Sequence, residues 1–140
     1  MFYLDTSLCI ASITAEPHTE AVLDWLQTNQ GLAFAISPWV ITEVHSALAR
    51  KRREQQLSER ERHGSLELFK RTVTSSLTML AINQGHFYTA AALVGRQETG
   101  LRASDALHLA ISSDHGATLA TLDKKLAAAE TDFARTLLVA

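Results

Sequence analysis

The stretch ASDALHLAISSDHGATLATLD, residues 103–123, reads as a helix, a turn and a strand in succession. Ala106, Leu107, Leu109, Ala110 and Ile111 give it an apolar helix, and His115-Gly116 stops that helix, because glycine accepts the left-handed conformation at a helix end. Ala117 to Leu122 is then a short apolar run, the pattern of a buried strand. Each half carries an acid in an awkward place. Asp105 lies in the apolar helix, and Asp123 directly follows the strand.

The same alternation extends in both directions. Phe2 to Asp5 reads as a first strand. Glu16-Pro17 predicts the opening of a helix that turns Val22, Leu23 and Leu26 inward and fades at Asn29-Gln30-Gly31. Leu32 to Ile36 reads as a second strand, and Ser37-Pro38 marks a helix start. That helix places Val40, Val44, Ala47 and Leu48 on one face, with Glu43 on the same face. Ser58-Glu59-Arg60-Glu61 is a capping box for a helix carrying Leu66, Phe69, Val73 and Leu77. Met79 to Ile82 predicts a third strand and His86 to Val94 another helix. A short helix through Lys125 to Ala129 and a last strand, Thr136 to Val139, complete the chain. Strands alternating with helices predict an α/β fold, a central and mostly parallel sheet of about four or five strands flanked by helices. The 140 residues fit one domain with a real core, and no linker or repeat divides them.

Four carboxylates, Asp5, Glu43, Asp105 and Asp123, thus fall on strand ends or apolar helix faces, where an unpaired charge costs several kcal/mol if buried. Few basic residues lie near them in sequence, so a divalent metal is the expected partner. Ligands of open parallel sheets bind beyond the carboxyl ends of the strands, where Asp5 and Asp123 are expected. Ser104 is a candidate N-cap that would put Asp105 beside a helix N-terminus. Thr6, Ser7 and Thr121 are hydroxyls placed to orient those acids, with turn or capping chemistry as the other reading.

Net charge is −2, so bulk charge does not mark a nucleic-acid binder. Eight of the thirteen Lys/Arg nevertheless fall between Arg50 and Arg71. Arg50, Lys51, Arg52 and Arg53 are candidate RNA phosphate contacts; a solvated helix end is the competing reading. The single cysteine, Cys9, excludes an internal disulfide and suits a reducing, cytoplasmic setting. Asp5 interrupts the first apolar run, which argues against a signal peptide. The uncharged stretch from Thr72 to Gly95 is too polar for a membrane span. The six histidines form no two-His helical pair, and His108, one turn from Asp105, reads as packed, capping or supporting.

Tyr3-Leu4-Asp5-Thr6-Ser7, Thr42-Glu43-Val44, Ala103-Ser104-Asp105-Ala106-Leu107-His108-Leu109-Ala110 and Thr121-Leu122-Asp123-Lys124-Lys125-Leu126 together resemble the ordered acidic motifs of PIN-domain ribonucleases. Within that superfamily the chain is most similar to the VapC toxins of toxin–antitoxin pairs. The resemblance spans nearly the whole chain and implies a three-layer α/β sandwich comprising a single PIN-like nuclease domain over 1–140. It implies a Mg²⁺- or Mn²⁺-dependent endoribonuclease with Asp5, Glu43, Asp105 and Asp123 as catalytic metal ligands. It also implies a cognate antitoxin, an RNA substrate and a homodimer. Metal-activated water needs no RNA 2′-hydroxyl, so products with a 5′-phosphate and a 3′-hydroxyl are expected.

Two other classes compete. A phosphatase or phosphoreceiver would also place an acid after strand one. The first needs a second Asp where Ser7 stands, and the second needs paired acids that are absent. A catalytically silent PIN-fold binding module would have no reason to retain four costly acids.

Overall fold

The computed structural model of the chain describes every residue except 97, 99 and 130–133. The described elements run β1 (Phe2–Leu4), α1 (Thr6–Ile13), α2 (Thr19–Thr28), β2 (Phe34–Ile36), α3 (Pro38–Arg53), α4 (Glu59–Ser76), β3 (Leu77–Met79), α5 (Gln84–Val94), α6 (Ala103–Asp114), β4 (Thr118–Thr121), α7 (Lys124–Ala127) and β5 (Arg135–Leu138). The five strands form one sheet in the order β3-β2-β1-β4-β5, and all four pairings are parallel. With helices on both faces, this is the expected three-layer α/β sandwich.

The central strands are largely buried, which explains their mostly apolar sequences. Tyr3, Ala35, Ile36, Leu119 and Ala120 are fully buried. Successive side chains of β1 point to opposite faces. Tyr3 reaches toward α6, where it meets His108, while Phe2 packs edge-on against Trp25 of α2 and stacks near Phe34 of β2. On the helical layers, α5 packs along α6, and α1 packs against α2, α3 and α4. The buried stripe of α3 is Val40, Val44 and Leu48, as its spacing predicts, and Ala47 packs partly buried beside it.

Several local expectations shift. Thr6–Ile13 is a helix that no periodicity announces, because Leu8, Cys9, Ile10, Ala11 and Ile13 are all buried and leave no polar face to alternate with. Glu16-Pro17 precedes a helix but does not begin it. α2 starts at Thr19, where the Thr19 hydroxyl accepts from the Glu16 N–H at 2.9 Å, and Leu23 faces outward, 46% exposed. β3 lies two residues earlier than Met79–Ile82. It is an edge strand with Thr78 and Met79 exposed, so its apolar pattern is weak. Ser58 does form the capping box with Glu61.

Strand order reverses at β1, which lies between β2 and β4. The chain steps from β1 to β2 to β3 on one side and reaches β4 and β5 on the other. The carboxyl ends of β1 and β4 therefore open a crevice at the switch point. Asp5 sits there, its N–H bonded to the Ala120 carbonyl of β4 at 3.2 Å.

Candidate active site

Asp5 follows the last residue of β1 and serves as N-cap of α1. It is 5% exposed, so its carboxylate depends on protein donors. Oδ1 accepts from Ser7 Oγ at 2.6 Å and from the Leu8 N–H at 3.1 Å, and Oδ2 accepts from the Thr121 hydroxyl. Burial pushes the Asp5 carboxyl above its ordinary range, and the Ser7, Thr121 and Leu8 donors offset only part of that.

Thr121 and Ser7 also tie the two strand ends together. Thr121 Oγ1 accepts from the Asp123 N–H at 2.9 Å, and Ser7 Oγ accepts from the Leu122 N–H at 3.1 Å. Asp123 is exposed and caps α7, its Oδ1 accepting from the Lys125 and Leu126 N–H groups at 2.8 and 3.1 Å. Both capping and orientation, the two sequence readings for these hydroxyls, are therefore served.

Glu43 projects from the second turn of α3 and is half-buried. Thr6 Oγ1 donates to its Oε1 at 2.8 Å, His108 Nε2 bonds the same oxygen at 2.6 Å, and Ser104 Oγ donates to Oε2. Burial pushes the Glu43 carboxyl up, but the bond and charge of His108, then Ser104 and Thr6, outweigh it and hold the group below its usual range. Ser104 in turn accepts from Trp39 Nε1 at 3.1 Å. Ser104 is thus not the N-cap of α6. Arg102 occupies that position without a side-chain cap, and Ser104 spends its hydroxyl on Glu43. Asp105 still lies in the first turn of α6. Its carboxyl is pushed up first by burial and then by the negative charges of Asp123 and, less, Asp5, with His108 opposing.

Asp5, Asp105 and Asp123 thus lie near enough to act on one another by charge, and Glu43 joins them through Thr6 and His108, although no three of the four bring ligand atoms within 4.8 Å of one another. No described Lys or Arg forms an ion pair with any of them. Hard oxygen donors and grouped negative charge fit a divalent cation of the Mg²⁺ class better than a soft metal. Among the described residues, the cluster whose ligand atoms lie within 4.8 Å of one another is a different one, His86, Asp114 and His115 at the far end of α6. Its protons are committed. His86 Nδ1 accepts from the Asn83 N–H at 3.0 Å, so Nε2 carries the proton and donates to Asp114 at 2.8 Å.

Sequence reasoning gives Tyr3 and Trp39 no site role of their own and marks Ser37 and Ser104 only as helix caps. A tyrosine inside an apolar strand, two residues before an acid, is the one available signal, because a buried phenol needs a partner. Arg50, Lys51, Arg52 and Arg53 form the last turn of α3, the helix that carries Glu43 in its second turn. Helix rise puts them about 10–15 Å beyond it. Lys51 pairs with Glu16 at 2.6 Å, and Arg52 lies 3.8 Å from Glu59.

Residues 2–132 match the PIN domain family model. The chain belongs to the PIN-domain family. Solved structures similar to it include VapC20 of Mycobacterium tuberculosis, described as a sarcin–ricin loop cleaving toxin (TM-score 0.72, 16% identity, covering 96% of this chain and 99% of that one). VapBC2 of Rickettsia felis, bound to a DNA fragment from its promoter, matches with TM-score 0.70 and 19% identity over 98% of both chains. FitAcB of Neisseria gonorrhoeae matches with TM-score 0.67 and 19% identity, covering 97% of this chain and 96% of that one. These likenesses establish the shared fold. Among curated proteins, none is significantly similar in sequence. No described helix of this PIN domain is long and apolar enough to cross a membrane.

Proposed function

We propose that this PIN domain is a metal-dependent endoribonuclease and the toxin of a toxin–antitoxin pair. The observation that carries the reading is the grouping of Asp5, Glu43, Asp105 and Asp123 around the β1/β4 switch point, with no Lys or Arg ion pair to any of them among the described residues. The fold shared with VapC20, VapBC2 and FitAcB supports the toxin assignment. The reading extends to a single domain over 1–140 that acts in the cytoplasm as a homodimer.

Mg²⁺ or Mn²⁺ held by the four acids would supply Lewis acidity toward a phosphate oxygen and toward water. The chain supplies the rest. Ser7, Thr121 and the Leu8 N–H fix Asp5. Thr6, His108 and Ser104 fix Glu43. Asp105, half-buried between like charges, is the acid whose ionised form gains most from a cation. Exposed Arg50, Arg52 and Arg53 would meet phosphates at a distance from the scissile bond. RNA is the substrate, cleaved to a 5′-phosphate and a 3′-hydroxyl.

A small antitoxin would silence the site with a basic side chain near the acids. The exposed apolar residues Leu23 of α2 and Phe87, Tyr88 and Val94 of α5 offer surface for protein partners. The test is cleavage of structured RNA by the purified protein with Mg²⁺ and with chelator. Cleavage only with metal, lost in Asp5→Asn and Glu43→Gln, is expected. Equal cleavage in chelator would overturn the metal-dependent reading.

A further inference from the structure

We propose that His108 is a positioning residue: backed by Tyr3 and Ser37, it locks the Glu43 carboxylate so that Oε2 is the oxygen presented to a divalent cation. The inference rests on the metal-dependent reading above and assigns the atoms that serve it.

The argument begins with lone pairs, of which a carboxylate oxygen has two. Glu43 Oε1 receives two donors, Thr6 Oγ1 at 2.8 Å and His108 Nε2 at 2.6 Å, and is saturated. Oε2 receives Ser104 Oγ and keeps one lone pair. Asp5 is divided in the same way: Oδ1 takes Ser7 Oγ and the Leu8 N–H, and Oδ2 takes Thr121 Oγ1. Asp123 also takes both of its helix-capping donors on Oδ1. Three acids from three different elements thus have one oxygen committed to the protein and the other less so. That is the arrangement of carboxylates held to bind through a single oxygen.

At Glu43 the commitment reaches deep into the core. Tyr3 OH lies 2.8 Å from His108 Nδ1 and 2.8 Å from Ser37 Oγ. The carboxylate can only accept, so His108 Nε2 carries the proton. The Tyr3 hydroxyl then joins Nδ1 to Ser37 Oγ, so the chain of hydrogen bonds is continuous from the core to the acid. Tyr3 and Ser37 are fully buried and His108 is 3% exposed. Apolar residues at these positions would fill the core without the cost of burying four polar groups. Ser37 is also the N-cap of α3, yet its hydroxyl makes no capping bond and serves Tyr3 instead. The chain joins β1, the start of α3 and α6, and its one outlet is Glu43.

Mn²⁺ binding to the full chain, followed by calorimetry and electron paramagnetic resonance beside thermal melting, tests the proposal with Tyr3→Phe, His108→Leu and His108→Gln. His108→Leu is expected to weaken Mn²⁺ binding about 10–100-fold, the usual loss when a ligand's supporting partner is removed. Tyr3→Phe should weaken it less, and His108→Gln should recover most of the affinity, because its amide N–H still donates to Oε1. Variants that are folded but melt lower and bind Mn²⁺ as the parent does would show that the chain serves only the core, and would overturn the proposal. If His108→Leu fails to fold, Tyr3→Phe, which removes a single oxygen atom, carries the test. Absence of Mn²⁺ binding by the parent would overturn the metal reading itself, and the inference with it.

Discussion

Thr121 reaches across the seam between β4 and β1 to donate its hydroxyl to the buried carboxylate of Asp5, 116 residues away in sequence. The same hydroxyl oxygen accepts from the Asp123 N–H. One side chain therefore holds one acid and sets the backbone before another. Thr121→Val keeps the shape and removes both bonds. A buried acceptor left without its donor costs about 1–3 kcal/mol. Urea unfolding should show a loss of that order, and an unchanged midpoint would mean that Thr121 does not support Asp5.

The pH dependence of the metal-free protein should carry two opposite signatures. Burial raises the Asp5 and Asp105 carboxyls, with Asp123 adding to the second. A raised folded pKa means that the native state holds its proton more tightly. That contribution is complete below the unfolded pKa, about 4, and is lost as pH rises through the folded value. Glu43 is lowered, because burial is outweighed by His108, Ser104 and Thr6. Its contribution is present above the unfolded pKa and is lost as pH falls through the folded value. In chelator, Asp105→Asn should flatten the stability loss between mildly acidic and neutral pH. Glu43→Gln should keep that loss and be less stable at neutral pH. Melting curves across pH decide between these outcomes. Histidines titrate in the same window, so the difference between parent and variant is the quantity to read. An identical pH profile for Asp105→Asn would show that like-charge crowding at the site is absent.

Charge reversal at the end of α3 tests the distant phosphate contacts. Arg50→Glu, Arg52→Glu and Arg53→Glu together should weaken RNA binding and flatten its dependence on salt, since fewer counterions would be released. Lys51 is left in place because it pairs with Glu16. An unchanged salt slope would assign the run to solvation of the helix end.

The fold itself makes a prediction at Leu48, which is fully buried on α3. Leu48→Ala should cost about 2–5 kcal/mol of stability by transfer and cavity terms. Chemical denaturation measures it, and a cost under about 1 kcal/mol would contradict the packing of α3 against α1 and α4.

Much of this arrangement is legible in the sequence because its signals are local. Asp5 and Asp123 each follow an apolar run short enough to be a strand, and Glu43 interrupts an otherwise apolar stripe. Ser58 and Glu61 declare their cap by spacing alone. What is not legible depends on distant parts of the chain. α1 has no polar face, so it lacks the helical period. Ser104 looks like a cap, but Glu43, 61 residues away, claims its hydroxyl. His108 reads as packed or supporting until the fold brings Tyr3, 105 residues distant, to its Nδ1. Tertiary hydrogen bonds of this kind leave no periodic trace.

The central claim is that the acids at the β1/β4 edge form one cation site. The most direct measurement is an anomalous difference map from crystals of the full chain grown with Mn²⁺. The account predicts a peak at bonding distance from Asp5 and its neighbouring acids, absent in Asp5→Asn. A map with no peak at that edge, or with its only peak at His86, Asp114 and His115, would contradict it.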